Sequence, residues 1–508
     1  MIHLSARARG VWANQTLWLG LIVLLGLVLR MVHIGRASLW NDELFSVFYS
    51  RSGLHFMWTE GLSLEPDPPL YYTLLLGWQR VWGISETAIR SLSTLFSLLA
   101  IPLVYALGVE LQDRRTALTA AFLLAVAPMQ LDFAQDARAY SLTVVAAGLM
   151  LLGLARYFRQ GPWLGNLACY AAGAVIGIYT HTSVILLIIA CNIAALGWVP
   201  APDGPRWPRD AVRWLVANIA VAAIGIPEAL AIFNITTGQR YAPGRAALTL
   251  FQFADMFSEL IAGPAAPLRF PGLEVAALGL LVAALGLWLR PLPRRSLVVL
   301  VGVPIGFFAI ALAVTLGLHK PIFVARIFCW MSIPVSLLLA HAILQPRYAV
   351  PLRAAVAVVF LVGLGAHLGR DADPIEPWRS ALPKLKDEMA RADLVVLMPY
   401  TSAGALVLYA PEVTHLAALR SNGPETVETG FMHESMGVPL VELTDVARQI
   451  RAGKDVWTLG QYRASELDQL LVVVPPPTQS FEQRCPNGQT CILALHWNPA
   501  ARNRAQPQ

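Results

Sequence analysis

The chain has 508 residues, of which 56% are hydrophobic and only 14% are charged. Soluble domains carry about 25% charged residues, so this composition excludes an ordinary soluble protein and points to a polytopic membrane protein. The formal net charge of +6 comes from arginines in short stretches between apolar runs, which fits positive-inside loops and not a nucleic-acid partner.

Arg7 and Arg9 precede an apolar run that continues to Val32. No small-residue cleavage site follows, so this run reads as a retained helix. A spanning helix needs about 20 mostly apolar residues. Candidate spans lie at 17–34, 86–109, 116–133, 140–158, 164–180, 183–199, 212–233, 271–290, 296–317, 324–344 and 351–368. With the N-terminus in the cytoplasm, the inside loops carry Arg114 and Arg115, Arg156 and Arg159, Arg206, Arg209 and Arg213, Arg290, Arg294 and Arg295, and Arg347 and Arg353. The acidic clusters then fall on the outer face. Residues 69–83 are too short for a span, and counting them as one would reverse that pattern. They read as an amphipathic helix in the outer interface anchored by Trp78 and Trp82, and 41–58 as a similar helix. Residues 234–270 form a second long external loop, with an interfacial helix from Ala246 to Ile261. Arg30, late in the first span, reads as a side chain that snorkels outward.

The character changes near residue 370. Short β-rich runs at Leu394–Met398, Val456–Leu459, Leu470–Val474 and Ile492–Leu495 alternate with helical pieces at Ser380–Arg391 and Thr444–Ala452. The expected organisation is a membrane domain over 1–370, with 35–85 as its first external loop, and a small α/β domain over 371–508. An odd number of spans puts that domain outside. Cys485 and Cys491 flank a Pro-Asn-Gly turn and are expected to form a disulfide there. Cys169, Cys191 and Cys329 lie in apolar runs and read as packing residues.

Three polar clusters are expected to carry chemistry. Asp42 and Glu43 lie in Leu39-Trp-Asn-Asp-Glu43, where adjacent helical residues point about 100° apart. Only one can face a given substrate atom. Asp42 is the expected general base and Glu43 its support, with a helix N-cap as the alternative for Asp42. Asp67 begins Asp67-Pro-Pro-Leu-Tyr-Tyr72, and Tyr71 is a substrate-binding candidate. In Gln135-Asp-Ala-Arg-Ala-Tyr140, Arg138 suits a phosphate, Asp136 is placed to orient it, and Tyr140 joins them as a substrate contact. His181 at the same face is a further substrate contact. Lys320 and Arg326 are expected to hold a second part of the phosphate. No nucleotide-binding glycine loop and no H-E-x-x-H motif occurs, so an energy-rich donor would arrive through the lipid.

The ordered set of Leu39-Trp-Asn-Asp-Glu43, Asp67-Pro-Pro-Leu-Tyr-Tyr72, Glu86-Thr-Ala-Ile-Arg-Ser-Leu-Ser93, Asp113-Arg-Arg115 and Gln135–Tyr140 resembles family 39 of the GT-C glycosyltransferases. That branch includes protein O-mannosyltransferases, the aminoarabinose lipid A transferase and rhizobial lipopolysaccharide transferases. Trp378-Arg379 is similar to the entry of the external domain in bacterial members. The resemblance implies a GT-C fold of about 11 helices and a polyprenyl-phosphate-linked sugar donor. It also implies inverting transfer to a lipid, glycan or protein hydroxyl at the outer face of a bacterial inner membrane. Asp42 matches the catalytic Asp, Glu43 its partner, and Arg138 a phosphate-contacting Arg; Arg326 fits a late external Arg. Asp67 stands where mannosyltransferases have His, which leaves acceptor contact and metal contact both open. A divalent cation is therefore an open question. The rival is a flippase or transporter of a polyprenyl-linked glycan, which calls for inverted repeats and midplane charges.

Overall fold

The computed structural model describes residues 6–63, 67–198, 209–237, 259–263, 292–318, 324–345, 349–369, 376–398, 402–420, 435–460, 465–484 and 490–498. In chain order the main helices begin with α1 (Ala6–Met31), α2 (Asn41–Arg51), α3 (Leu70–Trp82), α4 (Glu86–Leu111), α5 (Arg114–Val126), α6 (Pro128–Ala134), α7 (Tyr140–Gln160) and α8 (Leu164–Ile178). They continue with α9 (Val184–Gly197), α10 (Arg209–Thr237), α11 (Val303–Leu318), α12 (Ser332–Leu344), α13 (Ala349–Leu368), α14 (Ala403–Tyr409), α15 (Leu443–Arg451) and α16 (Ser465–Val473). Packing divides the chain into two compact units. The first comprises Met1–Val32, Glu65–Tyr71 and Arg90–Gly369; the second comprises His33–Leu64, Tyr72–Ile89 and Arg370–Gln508.

The first unit is a bundle of apolar helices. Six described helical runs are long and apolar enough to cross a membrane: Asn14–Met31, Glu86–Leu111, Tyr140–Gln160, Arg209–Phe233, Arg294–Gly317 and Ala325–Leu344. Helices α5 and α6 make another if taken together, bent by 56°. The bend falls where Pro128 opens α6 and cannot donate back into α5. Leu164–Ile178, Val184–Gly197 and Leu352–Leu368 are apolar but shorter. Each expected span coincides with one of these helices except 271–290, which lies outside the described residues, as do residues 246–258 of the expected loop helix.

Packing inside the bundle depends on small residues and satisfied polar groups, as it must where lipid offers neither a hydrophobic drive nor hydrogen bonds. A Cβ on Gly153 of α7 would stand 2.5 Å from the Tyr170 amide nitrogen of α8, and one on Gly173 of α8 would stand 2.6 Å from the Ala146 carbonyl oxygen. The two backbones therefore touch. Trp214 Nε1 donates to Asn192 Oδ1 at 2.9 Å, and Asn192 Nδ2 and the Tyr170 hydroxyl both donate to Asn218 Oδ1, at 2.8 and 3.0 Å. This network joins α8, α9 and α10.

Arg30 does not snorkel. It is fully buried and donates to Ser97 Oγ at 2.9 Å, to the Gly26 carbonyl at 3.1 Å and to the Ala125 carbonyl at 2.8 Å. The α5–α6 break leaves last-turn carbonyls such as that of Ala125 without an onward helical partner, and the guanidinium takes one up. Gln135 Nε2 in turn donates to the Arg30 and Val32 carbonyls at 2.9 and 2.7 Å, closing the end of α1.

The second unit contains a six-stranded sheet formed by β1 (Leu394–Leu397), β2 (Leu416–Leu419), β3 (Leu440–Val441), β4 (Val456–Gly460), β5 (Gln479–Arg484) and β6 (Thr490–Trp497), in the order β3-β2-β1-β4-β6-β5. The β3, β2, β1 and β4 strands run parallel, and β6 and β5 add antiparallel. Buried parallel strands read as unbroken apolar runs, which is why β1 and β4 are visible in the sequence. Leu470–Val474 is not a strand: it forms the end of α16 and the residue after it. Leu467, Leu470 and Val474 are all buried in one core cluster with Ile450 and Trp497, and their spacing of three and four is helical. Cys491 is disulfide-bonded, whereas Cys169, Cys191 and Cys329 are free; Cys485 lies outside the described residues.

Candidate active site

Helix α2 presents the first acidic pair. Its N-cap is Trp40, in extended conformation (φ −87°, ψ 173°), and not Asp42. Glu43, three residues on, reaches back so that Oε2 accepts the Trp40 N–H at 3.3 Å, the reciprocal half of a capping box. Capping therefore falls to the buried Glu43, while Asp42 is partly exposed on the first turn, where the helix N-terminus favours a carboxylate.

The loop before α2 is gripped by the segment that opens the C-terminal region. Ser38 Oγ donates to the Glu376 carbonyl at 2.6 Å. The Leu39 N–H donates to the Tyr409 hydroxyl at 2.7 Å, and that hydroxyl donates to Glu86 Oε1 at 3.0 Å. Arg379 forms an ion pair with Glu86 and also donates to the Gly35 and Arg36 carbonyls, at 3.1 and 3.4 Å. The Glu86 and Trp378-Arg379 motifs thus meet in one hydrogen-bonded knot. A side chain at Gly35 would disturb it, because a Cβ there would collide with the Thr87 hydroxyl. Gly35→Ala is expected to lower the thermal midpoint of the purified protein by the equivalent of about 1–3 kcal/mol, the usual cost of overpacking. Removing the hydroxyl with Thr87→Ala in the same chain should restore most of it; no recovery would refute this contact as the cause.

The first unit holds the second cluster. Asp67 Oδ2 accepts from Arg138 Nη2 at 2.5 Å, and both side chains are buried. His181 Nε2 lies 3.7 Å from Asp67 Oδ1, an electrostatic approach longer than a hydrogen bond. The sequence positions are 71 apart for Asp67 and Arg138, and three connections bring them together. The Leu70 N–H donates to the Tyr179 carbonyl at 2.9 Å, which fixes Asp67-Pro-Pro beside the α8–α9 turn. The hydroxyls of Tyr71 and Ser93 are hydrogen-bonded at 2.8 Å, and Ser93 Oγ donates to the Arg138 carbonyl at 3.3 Å. The Arg138 N–H donates to the Asp136 carbonyl at 2.8 Å. Tyr140 opens α7, with its ring centroid 6.2 Å from that of His181 and 4.9 Å from that of Phe133.

His181 Nδ1 accepts the Ser183 N–H at 3.2 Å and pairs with the Ser183 hydroxyl at 2.8 Å. That assigns the proton to Nε2, facing Asp67. Burial lowers the His181 pKa; the Asp67 carboxylate opposes the shift, and Arg326 and Arg138 reinforce it. His181 is therefore neutral at neutral pH. The same influence places Arg326 within electrostatic reach of this cluster. Lys320 lies outside the described residues.

Asp67, Tyr71, Asp136, Arg138, Tyr140, His181 and Arg326 are thus gathered in the first unit, and Asp42 and Glu43 lie in the second. Asp113 is a helix cap: its Oδ1 accepts the Arg115 and Thr116 N–H groups at 2.8 and 3.0 Å. Among the described residues no group of three or more His, Cys, Asp or Glu side chains is arranged to hold a metal ion. The sequence reading missed Glu376 and Tyr409, and gave Ser93, the last residue of the Glu86–Ser93 motif, no role of its own. Of the two missed, only Glu376 carries a local signal, because it stands two residues before the Trp378-Arg379 motif.

A family model described as dolichyl-phosphate-mannose-protein mannosyltransferase matches residues 66–228. No curated protein matches the sequence. Among solved structures, the chain is similar to ArnT from Cupriavidus metallidurans bound to undecaprenyl phosphate, with TM-score 0.59 and 15% identity over 97% of this chain and 100% of that one. The apo state of the same ArnT is similar with TM-score 0.53 and 15% identity, over 97% of this chain and 99% of that one. At 15% identity these likenesses show the fold alone: the chain has a multi-pass helical membrane fold of the GT-C type.

Proposed function

We propose that the protein is an inverting glycosyltransferase that moves a sugar from a polyprenyl-phosphate donor to a hydroxyl of an envelope lipid, glycan or protein. The observation that carries this reading is the buried Arg138 guanidinium at the entrance of α7, steadied by Asp67. An arginine costs too much beside lipid to be kept there idly, and its planar fork of donors matches a phosphate. The ArnT of similar fold was crystallised with undecaprenyl phosphate, which supports the donor class.

Asp42 takes the proton of the acceptor hydroxyl as general base. The acceptor oxygen attacks the anomeric carbon from the face opposite the phosphate, the C–O bond to phosphate breaks, and the bond to the acceptor forms with inverted configuration. Arg138, with Arg326 and Lys320, stabilises the charge gathering on the leaving phosphate. Asp67, Tyr71, Asp136, Tyr140 and the neutral His181 shape the substrate side. The disulfide at Cys491 and the basic inside loops support an outer-face reaction in a bacterial inner membrane, with the C-terminal domain in the periplasm.

The test is to incubate purified protein in lipid with polyprenyl phosphate carrying a radiolabelled sugar and a membrane extract as acceptor. Label leaving the polyprenyl phosphate for a new product supports the enzyme. Label that only crosses the bilayer, still attached to the lipid, refutes it in favour of a flippase.

A further inference from the structure

Glu376 lies outside all three clusters read from the sequence, yet its side chain is directed to α2. It is buried, and Trp378 Nε1 donates to its Oε2 at 2.8 Å. The Asn41 backbone N–H, in the first turn of α2, also donates to its carboxyl. Its own carbonyl accepts from Ser38 Oγ at 2.6 Å, which anchors the segment leading into α2. Asn41 immediately precedes Asp42, so a carboxyl from beyond residue 370 holds the turn that presents the acid.

We propose that Glu376 is a positioning residue for the Asp42 carboxylate, holding the first turn of α2 through the Asn41 amide and adding a third carboxyl beside Asp42 and Glu43. The inference rests on Asp42 being the base. Among the described residues, Asp42 and Glu43 on α2 are charged groups that face Glu376. Arg379, three residues on, is committed to Glu86 and to the Gly35 and Arg36 carbonyls, with Tyr409 on the same Glu86. Burial, with the charges of Asp42 and Glu43, pushes the Glu376 pKa up to about 7, against the opposing hydrogen bonds from Trp378 and Asn41. Glu376 is neutral in mild acid and becomes a third negative charge above neutrality. That charge adds to the negative field that draws the acceptor hydroxyl's proton toward the Asp42 carboxylate.

The experiment is the pH profile of transfer from about pH 5.5 to about pH 8.5, spanning the range in which such a raised carboxyl titrates, with a saturating polyprenyl-phosphate sugar and the membrane-extract acceptor, for the full chain and two variants. Glu376→Gln keeps an acceptor for the Asn41 amide but cannot ionise. Its ratio of kcat at pH 8 to kcat at pH 6 should be roughly three- to tenfold below that of the parent. Glu376→Ala also loses the hydrogen bonds, and its kcat should fall at least tenfold at every pH with the donor KM unchanged. A Gln profile that superimposes on the parent's overturns the proposal, as does an Ala variant that loses donor affinity instead of kcat. Asp42→Asn, run in parallel, separates the two claims. If it is inert while the Gln variant follows the parent, Glu376 alone loses its role; if it transfers normally, the assignment of the base fails first.

Discussion

Asp42→Asn is expected to reduce transfer at least a hundredfold and up to about ten-thousandfold, the range contributed by a positioned general base, while leaving the protein folded. The second half of that expectation follows from the geometry of α2. The capping contact is made by Glu43, and Asp42 is partly exposed, so an isosteric amide removes charge without breaking a buried bond. Substitutions away from such features usually change stability by less than about 0.5 kcal/mol. Glu43→Gln should behave in the opposite sense. It weakens the charge-assisted bond to the Trp40 amide and should lower stability more than Asp42→Asn does. Turnover and thermal midpoint, measured on the same preparations, check both. An active Asp42→Asn, or a Glu43→Gln that is more stable than the parent, would contradict these roles.

Arg138→Ala is expected to cause the largest combined loss. Removing one partner of a buried ion pair leaves the other charge uncompensated, at a cost of about 3–5 kcal/mol, and here Asp67 is the carboxylate left behind. The same change withdraws the donors proposed for the leaving phosphate, worth about a hundred- to a thousandfold in kcat. The two effects separate in a double variant. Arg138→Ala with Asp67→Asn removes both charges of the pair, so the thermal midpoint should recover by most of the loss while kcat stays low. Recovery of both would mean that Arg138 serves only the ion pair. Arg138→Lys should keep the charge but lose the fork, with activity between the parent and the alanine variant.

Much of the architecture is legible because membrane spans announce themselves. About twenty apolar residues leave the backbone no choice but a helix, and α4, α7 and α10 lie where the apolar runs place them. The short α3 was equally visible, since its length forbids crossing. The sheet was legible only in part. Strands β1 and β4 are continuous apolar runs, whereas β5, Gln479–Arg484, alternates exposed and half-buried positions at an edge, and Leu470–Val474 hid a helical face.

The pairing of Arg138 with Asp67 was not legible. Local reading placed Asp136, two residues away, to orient Arg138; Asp67, which meets its guanidinium, lies 71 positions earlier. Such a pairing depends on where Leu70 docks on Tyr179, which no local pattern encodes. Arg30 misled for a related reason. Its satisfaction comes from a carbonyl freed by a helix break ninety-five positions later, and sequence hydropathy prices only the charge.

The most direct measurement follows a radiolabelled sugar from polyprenyl phosphate in matched time courses of the parent and Asp42→Asn, with product and free polyprenyl phosphate both quantified. The parent should release one polyprenyl phosphate per sugar transferred, and the variant should bind the donor with the parent's Kd yet form product at least a hundredfold more slowly. Equal product from both, or sugar that never leaves its lipid carrier in the parent, would contradict the account.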